Sequence, residues 1–166
     1  YRQVLVEEPE FAQAMGELGF ELTNSYWFET RRVAERDEAR QWIDKALVLE
    51  PDNPRLRWIF ARHQYHGWLN YAAALEQLAI AEKGLPGSAD VHELRGWIQR
   101  RAGRPAEAVE SLNVALGLNP RSLDIMEGLV ETHGILGDVE SAQRMHERLM
   151  ASPSVDVDSR GRYATV

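Results

Sequence analysis

The sequence of 166 residues predicts an all-α fold built from antiparallel pairs of helices. Clusters of glycine, proline, asparagine, aspartate and serine divide the chain into segments of about a dozen residues, and each segment has apolar residues at helical spacing. No segment before the C-terminal tail alternates apolar and polar residues as a half-buried strand does. The third observation is a repeat, because prolines recur at intervals of 35, 34 and 33 residues, at Pro51, Pro86, Pro120 and Pro153.

The composition disfavours several classes of protein. Hydrophobic residues make up 44% of the chain and charged residues 27%, which is typical of a globular protein. The absence of cysteine excludes disulfide bonds and thiolate metal sites. A net charge of -7 and the lack of an apolar run long enough for a bilayer disfavour nucleic acid and membrane as partners. We expect a cytoplasmic protein without a cofactor, although a signal or membrane segment upstream stays open.

Small residues recur at fixed positions before the prolines. In one segment Ala108 and Ala115 lie seven residues apart, and Pro120 follows five residues later. The same spacing occurs twice upstream, at Ala39, Ala46 and Pro51 and at Ala74, Ala81 and Pro86. Where helices of neighbouring pairs cross, small side chains allow the axes to approach to the short end of the usual range of about 8–10 Å. We therefore expect these alanines at helix crossings and each proline just after a second helix.

A period near 34 residues, with a leucine–glycine step in the first helix, A-x3-F in the second and a final proline, is typical of tetratricopeptide repeats. The chain resembles a tetratricopeptide repeat protein over nearly its whole length. Leu18-Gly19 matches the leucine–glycine step, and Gly96 holds the small position of a later repeat. Leu129-Val130 and Ala142 follow the same frame more weakly. The resemblance implies a right-handed α-α superhelix, or solenoid.

The frame predicts a partial repeat at residues 1–9, full repeats at about 10–51, 52–86, 87–120 and 121–153, and a tail at 154–166. Since Val4-x4-Pro9 resembles Ala46-x4-Pro51, we expect residues 1–9 to end a second helix of a longer chain. The first full repeat is about eight residues too long for the usual period, and its surplus lies between its two helices, around residues 25–32. The tail alternates valine and aspartate, which favours an extended segment lying along a groove.

The first helix of the second full repeat has two possible registers. In one, Trp58, Ala61, Arg62 and Tyr65 fill the W-x2-LG-x2-Y positions. In the other, Phe60-Ala61 is the small step and the turn that follows holds an extra residue. The second register is preferred, because an arginine fits badly where helices touch.

The resemblance also indicates which residues face the concave side of the solenoid and contact a partner. They are Phe20, Trp58, Arg62, Tyr65, Glu93, Trp97, Arg100, Glu127 and Glu131. Such a face would be aromatic and mixed in charge centrally and acidic toward its C-terminal end, which suits a peptide with an apolar anchor and a basic flank. Family members that bind chaperone tails use a Lys/Asn/Arg clamp, which Gly16 and Phe20 do not reproduce.

Other polar clusters give weaker signals. No nucleotide-binding loop, nucleophile elbow or zinc-protease motif occurs, so we expect no catalytic residue and no enzyme. His63 and His66 lie on one helix without a third ligand at a supporting spacing, so we interpret them as surface or groove residues and expect no metal. Trp27 and Trp68 fall in predicted turns, where an exposed aromatic suits an interface. A basic patch either forms a solvated helix end or anchors a partner's carboxylate or phosphate, and it comprises Arg95, Arg100, Arg101 and Arg104.

Together these observations predict a non-catalytic module that binds a protein or peptide partner. Two alternatives stay open. One is a regulatory or sensor region of a larger bacterial signalling or transcription protein, with a cyclase-like or DNA-binding domain upstream. The other is a scaffold that self-associates into a homo-oligomer through the uncapped ends of the solenoid.

Overall fold

The computed structural model describes residues 1–152, and these form nine α-helices, one π-helix and no strand. The α-helices are α1 (Arg2–Glu7), α2 (Ala12–Asn24), α3 (Val33–Leu49), α4 (Pro54–Trp68), α5 (Tyr71–Gly84), α6 (Ala89–Arg101), α7 (Pro105–Leu118), α8 (Leu123–Leu136) and α9 (Val139–Met150). The π-helix (Ser25–Thr30) continues α2. The predicted all-α fold is therefore confirmed. Pro153 and the predicted groove-lying tail at 154–166 lie outside the described residues.

The chain divides into two compact units, Tyr1–Gly87 and Ser88–Val166. In the first unit, α2 packs against α3 and α4 packs against α5, so each pair is a helical hairpin. The first helices α2 and α4 also contact each other, and α3 contacts α4. Helix α1 rests on α2 through Leu5, its buried residue, and ends before Pro9.

The alanines of the first unit lie where the spacing predicts them. Ala39, Ala46, Ala74 and Ala81 are all fully buried. Gly19 faces α3 so closely that a Cβ there would lie 2.6 Å from Cγ1 of Ile43. Because real carbon contacts rarely fall below about 3.5 Å, only glycine fits between these helices.

The second unit repeats this arrangement with α6 and α7 as one pair and α8 and α9 as the next. Ala108 and Ala115 are fully buried, and a Cβ at Gly96 would meet Cγ of Leu112 at 2.6 Å. The core cluster consists of Leu112, Ala115, Leu116, Ile125, Met126, Leu129 and Leu149. Ala142 is only partly buried, because α8 is the one helix among the described residues that α9 packs against extensively.

Helix ends follow their local sequence in most cases. Asn53 caps α4, since its Oδ1 accepts from the backbone N–H groups of Arg55 at 2.9 Å and Leu56 at 3.2 Å, and Pro54 takes the first helical position. Ser122 and Asp138 cap α8 and α9 in the same way. Ser88 precedes α6 without a side-chain capping bond. The turns after α3, α5 and α7 contain Pro51, Pro86 and Pro120.

The structure favours the second register for α4. Ala61 is fully buried, whereas Arg62 is partly exposed and directs its Nε to Oδ1 of Asn24 at 3.1 Å. The small position is therefore Ala61, and the arginine lies beside the helix contact rather than within it.

The surplus at residues 25–32 is helical. The π-helix continues α2 without a break and ends at Arg31, which has a left-handed backbone with φ of 55°. Helix α3 then begins at Val33. Trp27 thus lies within a helix and Trp68 is the last residue of α4, so the predicted turn positions of both tryptophans are wrong.

Candidate interaction surface

One face of α2 and α4 carries a cluster of aromatic rings and arginines, which we term the α2–α4 cluster: Phe20, Arg55, Trp58 and Arg62. The rings of Phe20 and Trp58 lie 5.6 Å apart, tilted by 38°. The Arg55 guanidinium lies 5.3 Å from the Phe20 ring and 4.5 Å from the Trp58 ring. The Arg62 guanidinium lies 5.2 Å and 5.8 Å from the same two rings. Each such cation–ring contact contributes about 0.5–1 kcal/mol at an exposed site.

Hydrogen bonds from α2 fix both guanidinium groups of the cluster. Arg55 donates from Nε and Nη2 to the two carboxylate oxygens of Glu17, at 2.9 Å and 3.1 Å. This is the bidentate geometry that arginine and carboxylate form most readily. Arg62 donates from Nε to the amide oxygen of Asn24. The two arginines are thus held over the rings rather than left to rotate in solvent.

Two predicted contact residues are buried. Trp58 is 6% exposed and Tyr65 is 2% exposed. Trp58 is covered by the other members of the α2–α4 cluster, and Tyr65 packs against the rings of Trp27, His66 and Tyr71. Trp58 therefore supports the surface, and the partly exposed Phe20, Arg55 and Arg62 form its outer layer.

The interpretation of the two histidines as surface or groove residues is wrong, because His63 and His66 are both buried. Trp68 donates from Nε1 to Nε2 of His63 at 3.2 Å, and Nδ1 of His63 lies 2.9 Å from Oγ1 of Thr23. The Thr23 hydroxyl donates its proton to the carbonyl oxygen of Gly19, so His63 must donate from Nδ1 and accept at Nε2. The imidazole is consequently neutral, and burial lowers its pKa to about 4.

Among residues 1–152, no group of three or more His, Cys, Asp or Glu side chains could hold a metal ion. His66 instead serves as a stacking platform, since the Trp27 ring lies parallel to it at 4.8 Å.

The candidate residues of the second unit lie on α6 and α8. Arg100 forms an ion pair with Glu131 and has a side chain only 14% exposed, so these two predicted contact residues bind each other. Trp97 packs against the core cluster, with its Nε1 3.3 Å from the position of a Cβ at Gly128. Glu93 and Glu127 are partly exposed on the same two helices.

The basic patch is partly neutralised within the protein. Arg104 lies 3.3 Å from a carboxylate oxygen of Glu107, three residues later. Since Arg100 pairs with Glu131, at least two of its four arginines form ion pairs within the protein. This arrangement favours the interpretation as a helix end over that of an anion anchor.

Comparison with known proteins bears on the fold. No protein-family model matches the sequence, and no curated protein matches it significantly. Among solved structures, PilF from Pseudomonas aeruginosa superposes with a TM-score of 0.74 at 19% identity, over 95% of this chain and 68% of that one. MamA superposes with a TM-score of 0.69 at 16% identity, over 100% of this chain and 88% of that one. A fragment of MamA from Desulfovibrio magneticus RS-1 gives 0.71 at 18% identity, over 88% and 77%.

Both neighbours are tetratricopeptide repeat proteins. The chain has the tetratricopeptide repeat fold. At these identities the likeness concerns the fold alone, and the resemblance seen in the sequence is confirmed at that level. No helix within residues 1–152 has the length and apolar character needed to cross a membrane.

The tetratricopeptide repeat frame explains one contact that sequence reasoning missed. Glu17 and Arg55 lie 38 residues apart, on neighbouring first helices. Their opposite charges were a usable signal, because first helices of adjacent repeats pack side by side. The π-helix had no comparable signal, since nothing in its sequence distinguishes it from a turn.

Proposed function

We propose that the protein is a non-catalytic interaction module that binds a segment of a partner protein on the exposed faces of its first helices. The α2–α4 cluster is the observation that supports this most directly. An arginine held over an aromatic ring offers a binding segment both apolar area and a cation, and interface hot spots are enriched in such residues. The tetratricopeptide repeat fold points to an interaction role as well.

The first unit, taken by itself, favours a segment with a large apolar side chain and a nearby carboxylate. Phe20 is partly exposed and lies between the guanidinium groups of Arg55 and Arg62. The bidentate pair with Glu17 holds the Arg55 guanidinium in place beside the Phe20 ring. The first unit therefore suits the apolar anchor of the peptide expected from the sequence. The residue beside that anchor in the bound segment is, however, acidic rather than basic.

The second unit, taken by itself, suits the basic flank of the peptide expected from the sequence. Glu93 and Glu127 are partly exposed on its first helices. A lysine- or arginine-bearing segment complements this face.

Peptide selection tests the role of the α2–α4 cluster. A random peptide library displayed on phage is selected on the full 166-residue chain, and the affinities of enriched peptides are measured by fluorescence anisotropy. We expect families with an aromatic residue beside Asp or Glu, and affinity losses of about tenfold in Phe20→Ala and in Arg62→Gln. Phe11→Ala is the matched control, because Phe11 is exposed in the same unit but belongs to no part of the cluster. If no enriched peptide depends on Phe20 or Arg62, the proposal fails for this face.

Self-association is a second candidate function. Val6 and Val48 are 82% and 81% exposed, and Val48 also lines a cleft with Glu10, Met15, Lys45 and Leu49. Exposed apolar side chains of this kind favour contact with another chain. Sedimentation velocity across concentration should then show an oligomer that Val48→Asp dissociates. A monomer at all concentrations would reject this candidate.

A further inference from the structure

The turn between the two helices of each pair contains one residue with a left-handed backbone. This residue is glycine in the second unit and a residue with a side chain in the first unit. Gly103 and Gly137 have positive φ values of 76° and 73° between the helices of their pairs. In the first unit, Arg31 and Leu69 adopt the same left-handed backbone, with φ values of 55° and 52°. This conformation is unfavourable for residues with a Cβ. Neither side chain is buried, so packing in the core does not account for their presence.

Exposed apolar side chains gather beside these turns. Phe28, Trp68 and Leu69 are 65%, 47% and 50% exposed. The Phe28 ring lies edge-on to the ring of His66, with 5.6 Å between centroids. His66 is two residues before Trp68 in α4. Phe28, Trp68 and Leu69 therefore lie together at the C-terminal end of α4. We term Phe28, Arg31, Trp68 and Leu69 the hairpin patch.

Contacts beneath the hairpin patch hold it in one geometry. Arg31 lies 4.2 Å above the Trp27 ring, which stacks in turn on His66. The hydroxyls of Ser25 and Thr30, at the two ends of the π-helix, both donate to Oε2 of Glu35 in α3, at 3.0 Å and 2.5 Å. A surface fixed in this way loses little conformational entropy when it binds.

Arg31 gives the patch its charge. Its three neighbours Arg32, Arg36 and Arg40 are each paired with a carboxylate, on Glu35, Asp37 and Asp44. Arg31 has no carboxylate within 4.0 Å among the described residues. Glu29, the charged residue of the π-helix, has its Oε2 3.4 Å from Oγ of Ser25, one turn back along the helix. Within residues 1–152, a cation thus stands beside exposed rings without a partner of opposite charge.

We propose that the hairpin patch binds a segment of a partner protein that carries a large apolar side chain next to a carboxylate. The apolar side chain packs on Phe28 and Leu69, and the carboxylate pairs with Arg31. The patch shares no residue with the α2–α4 cluster, so the proposal does not depend on the function proposed above.

The test uses the full chain and a phage-displayed random peptide library, with counter-selection on a Phe28→Ser, Arg31→Glu double variant. We expect a peptide family with Asp or Glu beside Phe, Leu, Ile or Trp. Measured by anisotropy, its affinity should fall at least about tenfold in Arg31→Glu and in Leu69→Gly. Ile135→Ala, an exposed apolar residue beside the turn between α8 and α9, should leave it unchanged, as should Phe20→Ala.

Leu69→Gly separates binding from folding. Glycine suits the left-handed backbone at this position, so the variant should melt no lower than the wild type while it loses affinity. The proposal is overturned if no selected peptide depends on the patch, or if the dependent peptides are basic. It is also overturned if the patch mediates self-association, seen as a concentration-dependent sedimentation coefficient that Arg31→Glu abolishes.

Discussion

A methyl group at Gly96 should destabilise the second unit, whereas the same methyl group at Gly117 should not. Both glycines lie in the α6–α7 pair. A Cβ at Gly96 would lie 2.6 Å from Cγ and 2.9 Å from Cδ2 of Leu112, and 3.2 Å from the carbonyl oxygen of Ala108. A Cβ at Gly117 would meet no atom within 4 Å. The two substitutions therefore share their chemistry and differ only in the space available.

The magnitudes follow from two opposing effects. Alanine gains roughly 0.5–1 kcal/mol over glycine inside a helix, and Gly117→Ala should show the lower part of this gain near its helix end. At Gly96 the gain is outweighed, because Leu112 is fully buried and its Cγ must move by about 1 Å to restore contact distance. Overpacking of this kind costs about 1–3 kcal/mol. The net loss in the free energy of unfolding for Gly96→Ala is therefore about 0.5–2 kcal/mol.

Thermal unfolding of the full chain, followed by far-ultraviolet circular dichroism, measures the difference. For a chain of this size 1 kcal/mol corresponds to roughly 2–4 °C in Tm, so Gly96→Ala and Gly117→Ala should melt several degrees apart. If both variants melt above the wild type, Leu112 yields without cost and the close approach of α6 and α7 is not limiting. That result would refute the reasoning.

Three further predictions concern stability. Ala108→Leu places a large side chain at a fully buried crossing and should cost roughly 1–3 kcal/mol in urea unfolding, and a wild-type midpoint would contradict the crossing. Asn53→Ala removes two capping bonds and should cost about 1 kcal/mol, whereas Ser88→Ala, which removes none, should leave Tm unchanged. His63 has a folded-state pKa of about 4, below its unfolded value of about 6.5. The stability that the neutral imidazole contributes is therefore present above pH 6.5, and roughly 3 kcal/mol of it is lost as the pH falls toward 4. His63→Gln should flatten that part of the Tm–pH curve, and an unchanged slope would contradict the assignment.

The sequence predicted the helix pairs and their repeat because these depend on the spacing of residues close together in the chain. Ala108 and Ala115 lie two turns apart on one helix, and both point to the same neighbour whatever surrounds the pair. The caps at Asn53 and Asp138 are equally local, since side chain and backbone partner lie within three residues. Such features can be read without knowing how the helices assemble.

The candidate site was predicted less well, because exposure depends on several helices at once. Phe20 and Arg62 are partly exposed, whereas Trp58 and Tyr65 are buried. Sequence spacing assigns all four to one side of a first helix and does not tell which of them the neighbouring side chains cover.

By itself, the sequence determined that this chain forms paired helices in repeats of about 34 residues, with small residues at the crossings. Only the tertiary structure decided that His63 is a neutral, buried member of a hydrogen-bonded chain. It also decided that Phe28 on the π-helix and Arg31 directly after it are exposed. The reason is physical. Helix periodicity and capping arise from atoms a few residues apart, whereas burial, pKa and the position of an exposed charge arise from helices that meet only when the chain has folded.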